Sequence, residues 1–263
     1  MLGGNKKNIF VISDYGAGDP AFGEVMLRLR LLLPDVFIYP QTTPPFSTIN
    51  TGFWIYQIAL TKDVKDTFIY SNTAPRREDK GAQKNNRGEK LMYAKLENGV
   101  EVMAVNAGYV FSFIKPHIRS FHFVNVENEG SQFRSRDKYP GAVAQMVRND
   151  KGFLGPDADI KTIPDYPNHV IASIDGYGNI KTTLRASQVS FKPGSHLIIK
   201  IGNRKHLATY TDGIFNIKYG ELALAPGSSG HDDKFMEVFL RGGSAYRMFD
   251  MPDVEESFSI QKT

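Results

Sequence analysis

An apolar run rich in β-branched residues, Ile9-Phe10-Val11-Ile12, stops at Ser13-Asp14, where Gly16 and Gly18 permit a sharp turn. The periodicity then becomes helical. Asp19 is placed to cap a helix with Pro20 at its first position, and Val25, Leu29, Leu32 and Leu33 give that helix one apolar face. Strand, turn and helix in this order put Asp14 at the carboxyl end of a strand, where open α/β sheets bind ligands. An ionised carboxylate there only accepts hydrogen bonds, which suits a pair of hydroxyls such as a ribose diol. The plainer alternative is that Asp14 caps the turn, since Asp and Gly gather in turns for steric reasons.

Further along, Val36 to Tyr39 reads as a second strand, and Pro40 to Ser47 is too proline-rich for regular structure and reads as a loop. Thr48 or Asn50 caps a helix carrying Phe53, Trp54, Ile58 and Leu60, and Thr67 to Tyr70 is a third strand. Leu91 to Leu96 and Val100 to Val105 form a hairpin around Glu97-Asn98-Gly99. Phe121 to Val126 is another strand, and Phe133 to Pro140 leads into a helix over 142–147. Strands separated by helical segments predict an α/β domain with a mostly parallel sheet.

The pattern changes across 152–167, which is rich in Pro, Gly and Asp. Beyond it, Val170 to Ile174, Leu197 to Ile201, Leu207 to Tyr210, Glu221 to Ala225 and Phe235 to Leu240 are short strands separated mostly by turn residues. That spacing predicts a smaller all-β, barrel-like domain. The division is therefore an α/β domain over 1–163 and a β domain over 164–263.

Composition narrows the classes of function. The chain has 263 residues, 41% hydrophobic and 23% charged, as in ordinary globular proteins. It has no apolar run long enough to span a bilayer and no signal-peptide pattern before the first strand, so the expectation is a cytoplasmic protein without membrane partners. The absence of cysteine excludes disulfides, thiolate metal sites and a cysteine nucleophile. A net charge of +4 is mild, and the one dense basic stretch, 76–90, is mixed with acidic residues and carries no aromatic. It reads as a solvated loop and not as a nucleic-acid groove. His117 and His122 lack metal-ligand spacing and His231-Asp232-Asp233 is an isolated polar turn, so no metal site is expected.

Three motifs stand in order along the chain: Ser-Asp-Tyr-Gly-Ala-Gly-Asp-Pro at 13–20, Phe-Arg-Ser-Arg-Asp-Lys-Tyr-Pro at 133–140, and Ile-Asp-Gly-Tyr-Gly-Asn-Ile-Lys-Thr at 174–182. Together they resemble the S-adenosylmethionine hydroxide adenosyltransferases, a family that includes the fluorinases and chlorinases. The resemblance implies an α/β domain followed by a β-barrel domain. It also implies a homotrimer, with S-adenosylmethionine bound between the first domain of one subunit and the second domain of the next, and no cofactor beyond that substrate. Asp14 matches the carboxylate that holds the ribose hydroxyls. Phe133 and Ser135 match the segment near the incoming nucleophile, where the halogenases similarly have serine. Asp175 and Asn179, with Tyr177 replacing the family's Phe, match residues at the amino-acid end of the ligand, although Gly-Tyr-Gly-Asn is also a good hairpin turn. Ser228 and Ser229 fall in a late loop resembling one that contacts the ligand, and Phe46 completes the substrate-binding set.

The hydroxide-transferring members share an Asp-Arg-His set. Here Asn72 (or Ser71, if the register slips) stands at the Asp position, Arg134 at the His position, and Arg76 or Arg77 can supply the arginine. The catalytic set is accordingly Asn72, Arg76, Arg134 and Ser135. Attack at the 5′ carbon expels a neutral thioether, so no general acid is needed; the site has to align the nucleophile and hold the ribose still. Arg134 cannot serve as the base, because a guanidinium offers only hydrogen-bond donors and no acceptor. It can hold an anion. Two functions follow from the sequence: an enzyme that displaces methionine from S-adenosylmethionine with water as the default nucleophile, or a nucleoside-binding protein that kept the fold and lost the chemistry.

Overall fold

The first apolar run forms β1 (Asn8–Ser13) in a computed structural model that describes residues 7–16, 18–73, 89–127, 129–213 and 216–263. The helix signals after it hold. The Asp19 carboxylate accepts the Ala21 N–H at 2.9 Å, Pro20 opens α1 (Pro20–Leu32), and Phe22, Val25 and Leu29 form its buried face.

Two expectations about the next segment need correction. β2 (Phe37–Thr42) runs through Pro40 instead of ending before it. Pro40 is tolerated because β2 is an edge strand paired only with β1, so its missing N–H costs no ladder bond on the open side. α2 (Thr48–Ala59) is capped by Ser47, whose Oγ accepts the Asn50 N–H at 3.2 Å, and not by Thr48 or Asn50. Gly52 lets this helix lie flat on its neighbour, since a Cβ there would sit 2.5 Å from the Tyr109 carbonyl oxygen.

β3 (Thr67–Asn72) is followed by the hairpin of β4 (Leu91–Leu96) and β5 (Glu101–Val105), with Gly99 at φ +89° in the turn. β6 (Ile118–Val124), α3 (Arg134–Asp137), α4 (Tyr139–Arg148) and β7 (Leu154–Asp157) complete the first of two compact units, Met1–Asp165. Phe133 to Pro140 is thus largely helical. Pro140 falls in the first turn of α4, where the absent N–H has no intrahelical partner to lose.

The seven strands run in the order β2-β1-β3-β5-β4-β6-β7. The β2/β1, β1/β3 and β3/β5 pairings are parallel; β5/β4, β4/β6 and β6/β7 are antiparallel. The sheet is therefore mixed, parallel on one half only. A tight Asn-Gly connection such as the β4–β5 turn joins strands head to tail, and a parallel neighbour would have needed a crossover.

The second unit, Tyr166–Thr263, holds β8 (Ile171–Ile174), β9 (Ile180–Arg185), β10 (His196–Ile201), β11 (Arg204–Tyr210), β12 (Leu222–Pro226), β13 (Phe235–Leu240), α5 (Ala245–Met248) and β14 (Phe258–Lys262). Their order is β14-β10-β11-β12-β13-β9-β8. All pairings are antiparallel except β11/β12. The two outer strands meet at one end: Val170 bridges Ser257, and the Ile171 and Phe258 N–H groups donate to the Glu256 and His169 carbonyls at 2.9 and 2.8 Å. Ile171, Ile180, Leu197, Ile199, Leu224, Met236 and Val238 fill the interior of this curled sheet.

Candidate functional site

In the first unit, the carboxyl ends of the parallel strands carry most of the polar residues singled out above. Ser13 ends β1 directly beside Asn72, which ends β3. Asp14 follows, nearly buried at 9% exposure, and its Oδ2 accepts the Phe46 N–H at 3.0 Å. That bond is possible because the 43–47 loop is folded back over β1. The Thr43 N–H donates to the Ser13 carbonyl at 2.9 Å, and Phe46 takes a left-handed conformation at φ +65° that bulky residues avoid. A strained residue whose N–H is given to a carboxylate ties the β2–α2 connection to the β1–α1 turn.

Behind this turn the hydroxyls of Thr43, Thr51 and Thr73 form a buried chain, 3.1 Å from Thr43 to Thr51 and 2.8 Å from Thr51 to Thr73. The chain fixes the loop and the end of β3 to α2.

Ser135 and its neighbours reach the same edge through α3. Ser135 is buried, and its carbonyl accepts the Tyr70 hydroxyl at 3.1 Å. The Phe133 ring packs against Tyr15 with centroids 5.4 Å apart, and Phe22 meets the same tyrosine edge-on at 5.7 Å. Arg136 sits over the Phe133 ring and pairs with Glu24 of α1 at 2.8 Å, which holds α3 in place. The Arg134 Nη1 donates to the Glu89 carbonyl at 3.3 Å.

Three phenols are buried here. Burial pushes Tyr15 up, with the nearby Ser13 and Ser135 hydroxyls opposing and the Asp14 and Asp19 charges adding to the rise. Burial also lifts Tyr70 well above the ordinary range, and raises Tyr139, where the Arg134 charge opposes it. The structure thus brings Asp14, Phe46, Asn72, Phe133, Arg134 and Ser135 to the strand ends of one unit and adds Tyr15, Tyr70 and Tyr139 to them. Arg76 lies outside the described residues. The open groove of about 480 Å³ on α1 and α3 is lined by Glu24, Leu27, Arg28, Leu31, Arg136 and Asp137, and includes none of the predicted residues.

In the second unit the Asp175–Asn179 segment is the turn between β8 and β9. The Asp175 carboxylate is used within it: Oδ1 accepts the Tyr177 and Asn179 N–H groups, each at 3.0 Å, and Oδ2 accepts the Asn179 amide at 3.0 Å. Gly178 is at φ +81° and its missing Cβ leaves room for Ser244. The Tyr177 side chain projects from the turn, 83% exposed. The hairpin reading of these residues therefore describes their local structure.

Two residues given no role by the sequence, Lys181 near the end of the third motif and Glu237 of β13, organise this end of the unit. Lys181 Nζ lies 2.5 Å from Glu237 Oε1, 3.2 Å from Ser228 Oγ and 3.7 Å from Asp175 Oδ2. Glu237 is 3% exposed and also accepts the Ser228 N–H at 3.1 Å. Gly227 packs directly on the Glu237 carboxylate, since a Cβ there would come within 2.2 Å of it. Asp175, Asn179, Lys181, Ser228 and Glu237 are one connected polar cluster, with Ser229 buried beside it in sequence. For Lys181 and Glu237 the sequence signal was a charge beside apolar residues on a strand.

No family model matches the chain, and no curated protein matches it. Solved structures share its fold. One is the crystal structure of an uncharacterized conserved protein from Thermotoga maritima, 16% identical, with a TM-score of 0.74 over 96% of this chain and all of that one. The other is a conserved hypothetical protein from Thermus thermophilus, 17% identical, with a TM-score of 0.69 over 98% of this chain and all of that one. Among the described residues no group of three His, Asp or Glu is placed to hold a metal ion, and no helix is long and apolar enough to cross a membrane.

Proposed function

We propose that this protein is an enzyme that binds S-adenosylmethionine and displaces methionine from its 5′ carbon, with water as the nucleophile. The supporting observation is the placement of Asp14: a nearly buried carboxylate at the end of β1, held by the Phe46 N–H and followed by Tyr15, against which the Phe133 ring packs. A carboxylate so fixed suits the two hydroxyls of a ribose, and aromatic rings suit the face of a purine. In the proposed reaction the water oxygen bonds to C5′ as the C5′–S bond breaks. The electron pair leaves with the methionine sulfur, and one proton is released to solvent. The resemblance in sequence adds a homotrimer to the proposal, and the cytoplasm is the proposed location.

A second reading, a nucleoside-binding protein without turnover, is favoured by Arg134. Its guanidinium donates to the Glu89 carbonyl, and it has no capacity to take a proton from water.

Incubation with S-adenosylmethionine, with and without chloride, separates the two readings. Chromatography showing methionine and equimolar adenosine supports the enzyme. Calorimetric binding without products supports the binding protein. Absence of binding refutes both.

A further inference from the structure

We propose that the outward face of α1 pairs with the same face of a second copy of this chain, the two helices lying antiparallel about a two-fold axis at Leu27. α1 carries two stripes. Phe22, Val25 and Leu29 are buried in its own unit, while Glu24, Leu27, Arg28 and Leu31 repeat the i, i+3, i+4, i+7 spacing of a contact stripe on the exposed side. Leu27 and Leu31 are 67% and 76% exposed, and both line the groove on α1 and α3. Single surface leucines need no explanation, but two adjoining ones in a groove mark a contact.

Gly23 points to the occupant. It is exposed inside α1, where glycine serves helix stability less well than alanine does. Its own unit gives no reason for it, since a Cβ there would meet open space. Gly23 and Leu31 stand four residues to either side of Leu27. In an antiparallel pair with Leu27 against its own copy, each Leu31 therefore seats over the partner's Gly23, and any larger residue would fill that seat. The charges match as well. Among the described residues Arg28 engages no group, and Glu24 gives only Oε2 to Arg136. Across the axis Arg28 lies within about 3 Å, measured along the helix, of the level of the partner's Glu24. A face with both signs of charge complements itself, and a two-fold contact uses each pair twice. This pairing is independent of the reaction and of the trimer proposed above.

Sedimentation equilibrium of the full chain over a range of concentrations tests the pairing, since a contact of one helix face is small and therefore concentration-dependent. At the highest concentrations the wild type should have about twice the mass of Leu27→Glu, because that variant sets two carboxylates against each other on the axis. Gly23→Gln separates contact from folding. Glutamine is the better helix former, so this variant should melt at a higher temperature than the wild type at dilutions where both are unpaired. Its association should nevertheless weaken about tenfold or more, as overpacking of a contact does. Leu27→Cys supplies the sole thiol of a cysteine-free chain, and diamide, which takes up the two electrons and two protons of a thiol pair, should link two copies through it. The linking should be much faster than through a thiol placed at exposed Lys62 by Lys62→Cys. Equal masses for the wild type and Leu27→Glu, undiminished association in Gly23→Gln, or linking through Leu27→Cys no faster than through Lys62→Cys each overturns the pairing and leaves the groove to a different protein.

Discussion

Replacing Lys181 by methionine removes the cation of the polar cluster in the second unit while keeping the length of the side chain. The Glu237 carboxylate, 3% exposed, then loses its 2.5 Å partner and keeps the Ser228 N–H at 3.1 Å. Breaking a buried pair by removing one partner costs about 3–5 kcal/mol. The surviving backbone bond places the expected loss near the lower end, about 3 kcal/mol. Chemical denaturation at neutral pH, followed by far-UV circular dichroism, measures it. The double variant Lys181→Met with Glu237→Gln should recover more than half of the loss, since the uncompensated charge is gone. A single-variant loss below about 1 kcal/mol, the range of exposed ion pairs, refutes the view that this pair is buried and coupled.

Asp14→Ala should weaken binding of adenosine by about 1–3 kcal/mol, and unchanged calorimetric affinity would remove Asp14 from the site. Gly52→Ala puts a methyl group against the Tyr109 and Val110 carbonyls, and should destabilise the protein by about 1–3 kcal/mol in denaturant melts; a neutral outcome would mean that α2 is free to shift. Of the twelve tyrosines, Tyr15, Tyr70, Tyr93 and Tyr139 have phenols raised chiefly by burial, so at least four should resist ionisation in an absorbance titration until alkaline unfolding. With folded pKa values above the unfolded one, their contribution to stability is complete below about pH 10 and is lost as pH rises through the folded values. Ionisation of all twelve in one step near pH 10 would contradict their burial. Asp137 behaves oppositely: its Arg136 and Ser131 partners lower its pKa, so its small contribution is present at neutral pH and lost on acidification below about pH 4. An Asp137→Asn deficit that persists at pH 2 would refute that.

The parts of the fold legible in the sequence were those with strong local signals. The Ile9–Ile12 run, the Asp19-Pro20 helix start and the Asn-Gly turn each impose a conformation on their own residues. β9 was missed because Lys181, Thr182 and Thr183 interrupt its apolar pattern, and those side chains face Glu237 and backbone carbonyls that only the folded sheet supplies. β7 was missed because Gly155 and Pro156 look like a linker, and only pairing with β6 makes them a strand. For the site, Asp14 and Ser135 stood out by motif. Tyr15 did not, because nothing in the sequence says that Phe22 and Phe133 will close on its ring and bury its hydroxyl.

The junction of β8 with the start of β14 makes the second unit's folding a matter of order as well as of energy. The residues that join there stand at opposite ends of the unit, so their pairing carries the largest loop-closure cost and can be favourable only after the strands between them have assembled. Until it forms, β8 and β14 present bare edges, the form of sheet that recruits strands from other molecules. The residues after Glu255 thus act as a latch against aggregation, and their loss should appear first as lower yield of refolded monomeric chain.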